Sequence, residues 1–342
     1  MRVSVCIPTY NRARCLANCL QSIISSRNRG AADFEVCVSD NCSTDGTPEV
    51  VRAAQAEIAI KYSRNEANLG VARNFLRVVD MAEGEFVWLI GDDDLLLPHA
   101  LSDLSQLIAG HPGVDFFFIN AFHLTTEYVF SHPQPFDTAN LPADMVPFSS
   151  WPHSGELQFM ELINPRISFD FLGGMFLAVF RKKNWRENAD ALDATAIRDL
   201  RTFSHFDNTF PHVKIFSRAF ARSRAYLSPT PLSVCLTGGR EWAPMYPLIK
   251  SVRLVEALEE YRKNGLPFLR YLRCRNFALN NFIPDLGSMF VHRDVSGFSY
   301  VRPLRLIVAN CLYPNFYLSL CNFLLRKSRL LIGKAALLRK AA

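Results

Sequence analysis

None of the nine cysteines of this 342-residue chain stands at the two-residue spacing that a zinc ribbon or a dithiol redox centre requires. Their number is odd, and Cys6 and Cys37 sit in apolar, strand-like runs. Cys15 and Cys19, four apart on an apolar helix face, read as small buried hydrophobes. A reduced, cytosolic chain is the expectation. The long apolar core of a signal peptide is missing after Arg2, where a short strand-like run begins at once. Glycine and proline, at 16 and 19 residues, are unremarkable, which argues against collagenous and low-complexity architectures, and no internal repeat is present. Acid is missing altogether from Val295 to Ala342, where Arg302, Arg305, Arg326, Lys327, Arg329, Lys334, Arg339 and Lys340 accumulate. Those cations exceed the net charge of +6, so the remainder of the chain is slightly acidic. No aromatic-interleaved nucleic-acid motif accompanies the basic tail. Anionic lipid, and not nucleic acid, is therefore its expected partner.

What the sequence has is apolar mass: 49% of the residues are hydrophobic and 27 are Phe, enough for one large core with an appendage. Short β-branched runs alternate with amphipathic segments of helix length, the pattern of a mostly parallel sheet covered by helices. Strands are predicted at Val3–Ile7, Phe34–Ser39, Ile58–Tyr62, Phe86–Ile90, Val114–Asn120 and Met175–Phe180. Helices are predicted from about Arg12 to Ser26, after a Thr47 cap followed by Pro48 and Glu49, from the Asn68-Leu69-Gly70 turn to Met81, from Pro98 toward Ile108, and near Gly155–Ile163. Thr125–Pro152 reads as a long loop, and beyond Ser233 the pattern turns helical, with Leu248–Lys263 and Leu266–Asn280. The division expected is a catalytic domain over about 1–235, its donor half ending near 120, and a helical region over about 236–342 with a basic amphipathic tail from about 301.

Ligands of open parallel sheets bind beyond the carboxyl ends of the strands, where loops diverge and helix N-termini point at them. Three polar clusters fall at such ends: Pro8-Thr9-Tyr10-Asn11-Arg12, then Asp40 to Asp45, then Asp92-Asp93-Asp94. Successive carboxylates after a buried strand need a positive neighbour, and oxygen-only ligands suit Mg²⁺ or Mn²⁺. Such an ion would bridge the phosphates of a nucleotide sugar and stabilise the leaving diphosphate. Alone, Asp94 could simply cap the helix at Pro98. Asp40 fits a hydrogen bond to a uracil-like base beside Thr9, and equally an Asx-turn. Arg73 and Asn74 open the helix after Gly70, which suits a place near the diphosphate.

Together Val5-Cys6-Ile7-Pro8-Thr9-Tyr10-Asn11-Arg12, Ser39 to Thr47, Asn68-Leu69-Gly70-Val71-Ala72-Arg73-Asn74 and Ala82 to Asp94 resemble the inverting family-two glycosyltransferases of the GT-A fold. The Trp-Leu-Ile-Gly-Asp-Asp-Asp stretch is most similar to abequosyltransferase-like enzymes of O-antigen and other surface polysaccharides. The resemblance is strong over about the first third of the chain and weaker to about residue 220. It implies a Rossmann-like α/β sheet with helices on both faces, Thr9 and Asp40 on the base, Asp92 and Asp94 as an Asp-x-Asp metal motif, and Gly173-Gly174 on the acceptor side. The donor site it implies also takes in Pro8, Tyr10, Asn11, Arg12, Asn68, Gly70, Arg73 and Asp93. The family's Glu-Asp pair is absent from Ser204 to Val213, leaving Asp207 and His212 as equal candidates for the base that takes the acceptor proton.

Leu306–Leu325 is uncharged and long enough to span a bilayer, yet Asn310, Pro314, Asn315, Ser319 and Asn322 make an interfacial or docked helix pair the better reading. A cytoplasmic enzyme peripheral to the bacterial inner membrane, with a lipid-diphosphate-linked saccharide as acceptor, is expected. Two alternatives stand beside it. A nucleotidyltransferase would need a glycine-rich phosphate loop, and Pro8–Arg12 holds no glycine. A catalytically silent, nucleotide-sugar-binding partner of a polysaccharide assembly complex would not need the intact acid triplet.

Overall fold

A computed structural model describes residues 2–28, 33–239 and 241–341, and in the last helix the side chains only to 326 and at 328. The tail cations Lys327, Arg329, Lys334, Arg339 and Lys340 therefore lie outside the described side chains.

The architecture is α/β around one sheet. The chain runs through β1 (Val3–Thr9), α1 (Ala13–Asn28), β2 (Phe34–Asp40), α2 (Thr47–Gln55), β3 (Ile60–Arg64), α3 (Val71–Met81) and β4 (Phe86–Leu89). It continues through β5 (Leu95–Leu96), α4 (Ala100–Gly110), β6 (Phe116–Thr125), α5 (Thr126–Phe130), β7 (Val146–Pro147), β8 (Gly155–Gln158), β9 (Ala178–Arg181), α6 (Lys182–Arg186), α7 (Phe206–Thr209), α8 (Pro211–Ala219) and β10 (Arg224–Thr237). The sheet order is β3-β2-β1-β4-β9-β6-β10-β5, with β7 on β6 and β8 on β10. β1, β2, β3 and β4 are mutually parallel, β9 runs against both of its neighbours, and β6 and β10 are again parallel. β1 and β4 are buried at every position, which is why their sequences are apolar without alternation.

Register places the ligand loops. Thr9 pairs with Asp40, and Asp40 with Arg64, so the ends of three strands lie side by side while β4 ends beside them with Cys6 paired to Leu89. The turn before α3 depends on Gly70 at φ +82°, a backbone that residues with a Cβ rarely adopt, and the side chain of Leu200 closes over it.

Several predicted elements change type. Gly155–Ile163 is not a helix: Gly155–Gln158 pairs antiparallel with β10 and only Phe159–Glu161 makes a single 3₁₀ turn. The two-residue alternation of burial along Gly155–Gln158 suits a strand, and Phe159 is pulled into an aromatic cluster with Phe116, Phe171 and Phe220. The strand expected from Met175 begins only at Ala178, after another 3₁₀ turn. The helical pattern beyond Ser233 starts late, because the fourteen-residue β10 runs to Thr237. Pro229 and Pro231 obscured that strand in the sequence; it keeps them by shifting register between Ser228 and Ser233, with the Pro229 carbonyl accepting a hydrogen bond from Asn120. Thr47 does not cap α2 but stands in its first turn, where Asp45 accepts from its amide and hydroxyl. Thr125–Pro152 contains α5 and β7 and is not a plain loop.

The remaining helices are α9 (Tyr246–Leu248), continued by a π-helical turn Ile249–Arg253 into α10 (Leu254–Lys263), then α11 (Phe268–Ala278), α12 (Phe282–Val291), α13 (Pro303–Asn310) and α14 (Pro314–Ala341). α10 and α11 belong to the main core, which includes Leu258, Tyr261, Tyr271 and Cys274. α12 to α14 are held by two smaller clusters, around Met289 and around Phe282.

Candidate active site

The three polar clusters interlock at the carboxyl edge of β1, β2 and β4. Thr9 donates its hydroxyl to Asp92 Oδ2 at 2.8 Å, and Arg12 reaches Asp92 Oδ1 and Asp93 Oδ2 at 3.0 Å each. All three acids are buried, so a counter-ion is a physical requirement and not decoration. Burial works against the Arg12 charge, yet Asp92 and Asp93 hold that guanidinium protonated more firmly than usual. Asp94 turns back, its Oδ2 accepting the Gly91 amide at 2.7 Å. The thiol of Cys19, pushed up by burial and by the field of Asp94, Asp92 and Asp93, packs below the triplet as an inert core group.

Pro8 and Thr9 close β1, and the chain then exposes Tyr10 and Asn11. Asn11 adopts a left-handed backbone at φ 54°, which asparagine tolerates, and its amide donates to Ser43 while its side-chain oxygen accepts from Thr44. Asp40 is fully buried: Oδ1 accepts the Ser43 amide at 2.8 Å, and Oδ2 accepts the Tyr62 hydroxyl at 2.7 Å with Arg64 3.6 Å away. The Asx-turn foreseen for Asp40 is therefore present. Asn68 caps its own turn by accepting from Gly70 and is tied to Asn41 at 2.7 Å. Arg73 is half-buried one turn into α3.

Two groups outside the motifs complete this junction. Asn74 is buried and joins the strand ends, donating to the Ser39 and Thr9 carbonyls and accepting from the Ser39 hydroxyl and from Asn65. Tyr62, a strand residue by its sequence pattern, completes the shell of Asp40. Both are identified by partners far away in sequence, which no local pattern records.

The second half of the site packs on α3. Gly173 and Gly174 donate their amides to the Asp170 carbonyl, and a Cβ on Gly173 would lie 2.9 Å from the Phe210 ring. Trp88 on β4 donates its indole N–H to the Phe176 carbonyl, joining this turn to the strand that carries the acids. His212 is brought to the same place but not to solvent: it is buried among the rings of Phe75, Phe210 and Phe216. Neither ring nitrogen makes a hydrogen bond of ordinary geometry. Burial lowers its pKa to about 3, only weakly opposed by the Gly173 backbone. Asp207 is buried too, in an ion pair with Lys214 at 2.8 Å, and accepts the Asp193 amide at 2.6 Å. An unforeseen titratable pair stands on the exposed side of this segment, His205 Nε2 with Asp199 at 3.2 Å, next to the Leu200 that covers Gly70. Its sequence signal, an Asp and a His six residues apart in a polar stretch, is too common to have been informative.

A divalent cation fits the donor set as one bound by one or two carboxylates and completed by phosphate and water, the usual habit of Mg²⁺. Asp92 spends one oxygen on Thr9 and the other on Arg12, and among the described residues no group of three His, Cys, Asp or Glu side chains is placed to hold a metal ion.

Residues 4–178 match the family model described as glycosyl transferase family 2. Over 110 residues the chain is 43% identical to the abequosyltransferase RfbV of Salmonella typhimurium, an alignment covering 32% of this chain and 33% of that protein. It is 40% identical over 107 residues to the GalNAc(5)-diNAcBac-PP-undecaprenol beta-1,3-glucosyltransferase of Campylobacter jejuni, covering 31% of this chain and 34% of that protein. The match thus spans about a third of each relative's length. The crystal structure of Staphylococcus aureus TarS 1-349 in complex with UDP shares the fold, with a TM-score of 0.54 at 18% identity over 83% of this chain and 72% of that one. The family match covers just over half of the chain and runs from β1 through the strand-end loops and the acid triplet to the first residue of β9, and the chain belongs to glycosyl transferase family 2.

Proposed function

We propose that this chain transfers a sugar, with inversion at the anomeric carbon, from a nucleoside-diphosphate sugar to a hydroxyl of a saccharide or lipid-diphosphate-linked saccharide during assembly of a bacterial surface polysaccharide. The observation that carries this reading is the junction of Thr9, Arg12 and the buried triplet Asp92-Asp93-Asp94 beside the Asp40 loop. The name of the Campylobacter relative, acting on a PP-undecaprenol-linked glycan, supports the acceptor class, and that of the Salmonella relative, an abequosyltransferase, supports sugar transfer.

The roles divide as follows. Thr9 and the loop held by Asp40, Asn68 and Gly70 receive the nucleoside, with Tyr10 and Asn11 at its open side. Arg73, at the start of α3, faces the diphosphate. Arg12 fixes the orientation of Asp92 and Asp93 so that Asp94 is presented as the metal ligand. Mg²⁺ or Mn²⁺ bound there would supply Lewis-acid stabilisation of the departing diphosphate. The acceptor oxygen attacks the anomeric carbon from the face opposite the diphosphate and gives up its proton to a base. Asp207 is our choice over His212, whose ring is sealed among phenylalanines. The Asp199–His205 pair, with the His205 side chain half exposed, favours a second reading, in which Asp199 orients His205 as the base. The enzyme works at the cytoplasmic face of the inner membrane, beside its lipid-linked acceptor.

The test is release of nucleoside diphosphate from a panel of nucleotide sugars, with and without Mn²⁺, using parent protein and Asp94→Ala in membranes carrying lipid acceptors. Metal-dependent release that the variant loses supports transfer and names the donor. No release from any donor, together with no metal-dependent nucleotide binding, leaves the silent assembly partner as the function.

A further inference from the structure

We propose that the outer face of α13 and α14 is a membrane-docking surface that lies in the plane of an anionic bilayer without crossing it, a reading that builds on the lipid-linked acceptor proposed above. The two helices bury their inner sides on the same small cluster: Ile307 and Phe316 meet Leu279 and Phe282. Their outer sides carry apolar side chains that stay largely exposed on α13 and about half exposed on α14. On α13 and its C-terminal turn these are Leu304, Val308 and Leu312, at helical spacing and 80%, 72% and 91% exposed. On α14 they are Tyr317, Leu320 and Leu324, again one stripe, while Phe316 and Ser319 point inward. A soluble surface rarely leaves so contiguous an apolar face to water.

Charge selects the occupant. The segment from Val295 to Ala342 contains no acid, and Arg302 and Arg305 are exposed next to the α13 stripe. A second copy of the chain on this face would set two acid-free, cationic segments against each other. An anionic lipid surface accepts both the apolar stripes and the cations. Among the described residues no helix is long and apolar enough to cross a membrane, and the uncharged run from Leu306 to Leu325 is broken at Cys311–Tyr313 between the two helices. The geometry is that of an element lying on the interface.

The experiment is flotation of the full chain with vesicles of phosphatidylcholine alone and with one-third phosphatidylglycerol. The parent should partition onto the anionic vesicles, more weakly as salt rises. The triple variant Leu304→Asn/Val308→Asn/Leu312→Asn should bind at least about tenfold less, since each lost apolar side chain removes burial in the interface. Arg302→Gln with Arg305→Gln should weaken binding to the anionic vesicles by about 30-fold, from ~1 kcal/mol for each cation near the surface. Val146→Asn, an exposed apolar site elsewhere (65% exposed), should change nothing. Parent protein that ignores anionic vesicles overturns the proposal, as does a triple variant that binds like the parent. So does a parent dimer that the triple variant dissociates while vesicle binding is unaltered. Donor turnover with a short water-soluble acceptor, measured alongside, should be equal in parent and triple variant; its absence in the parent would defeat the transferase reading while leaving the docking result standing.

Discussion

The strand-end region and the C-terminal helices break the rule of polar outside and apolar inside in opposite directions. At the ends of β1, β2 and β4 polar groups are buried: Thr9, Asp40, Asn41, Asn74 and the acid triplet. On α13 and α14 leucines and valines face outward. Each inversion costs stability in isolation, and under the functions proposed above each answers to something outside the chain. Buried carboxylates and amides, fixed by each other, form a stiff template for a charged ligand. Exposed leucines on a helix pair form a face for an apolar medium. The first region is specific because every group has a fixed partner, whereas the second needs only a stripe and a charge sign.

The sharpest way to break this contrast is at Asp94. Asp94→Ala should lower kcat/KM for donor turnover by about 10²–10³-fold, the scale of losing one preorganised electrostatic contact, when nucleoside diphosphate release is followed under saturating Mn²⁺. Next comes Asn74, the hub that ties the strand ends together. Asn74→Leu leaves the buried Ser39 and Thr9 groups without their partner and should cost about 2–3 kcal/mol in urea denaturation.

His212 gives a smaller, pH-dependent effect. Its folded pKa, lowered to about 3, lies below the ordinary imidazole value of about 6.5. The unfolded chain therefore takes up a proton first as pH falls, and stability present above about pH 6.5 is lost on acidification. From about pH 7 to about pH 5 the parent should lose about 2 kcal/mol more than His212→Phe, measured as unfolding free energy at each pH. The same variant should keep its donor turnover, since the ring is sealed among phenylalanines and Asp207 is the base we propose. The smallest effect sharpens the other half of the contrast: Leu304→Asn/Val308→Asn/Leu312→Asn should leave the unfolding free energy within about 0.5 kcal/mol of the parent, because those side chains bury little in the protein.

Much of the donor side was legible because its signals are local. A buried parallel strand is an uninterrupted apolar run, and the loop that follows must be polar, so Val3–Ile7 before Pro8–Arg12 and Phe86–Ile90 before Asp92–Asp94 announce both strand and site. The later elements were harder. β10 carries two prolines and is recognisable only from its partners β6 and β8, while Gly155–Glu161 has a helix's length and a strand's alternation. The contacts of Asp92 and Asp93 were hidden for the same reason, since Thr9 and Arg12 lie about eighty residues from them.

What the sequence determined alone was the α/β class, the position of the polar loops and the acid-free tail, all of which follow from short-range periodicity and composition. Tertiary structure decided which carboxylates are already engaged, that His212 is sealed in an aromatic pocket, that Asn74 binds three strand ends, and which faces of α13 and α14 stay open. Those outcomes depend on contacts between residues distant in the chain, and burial, the quantity that sets both the cost of a charge and the exposure of a leucine, exists only once those contacts have formed.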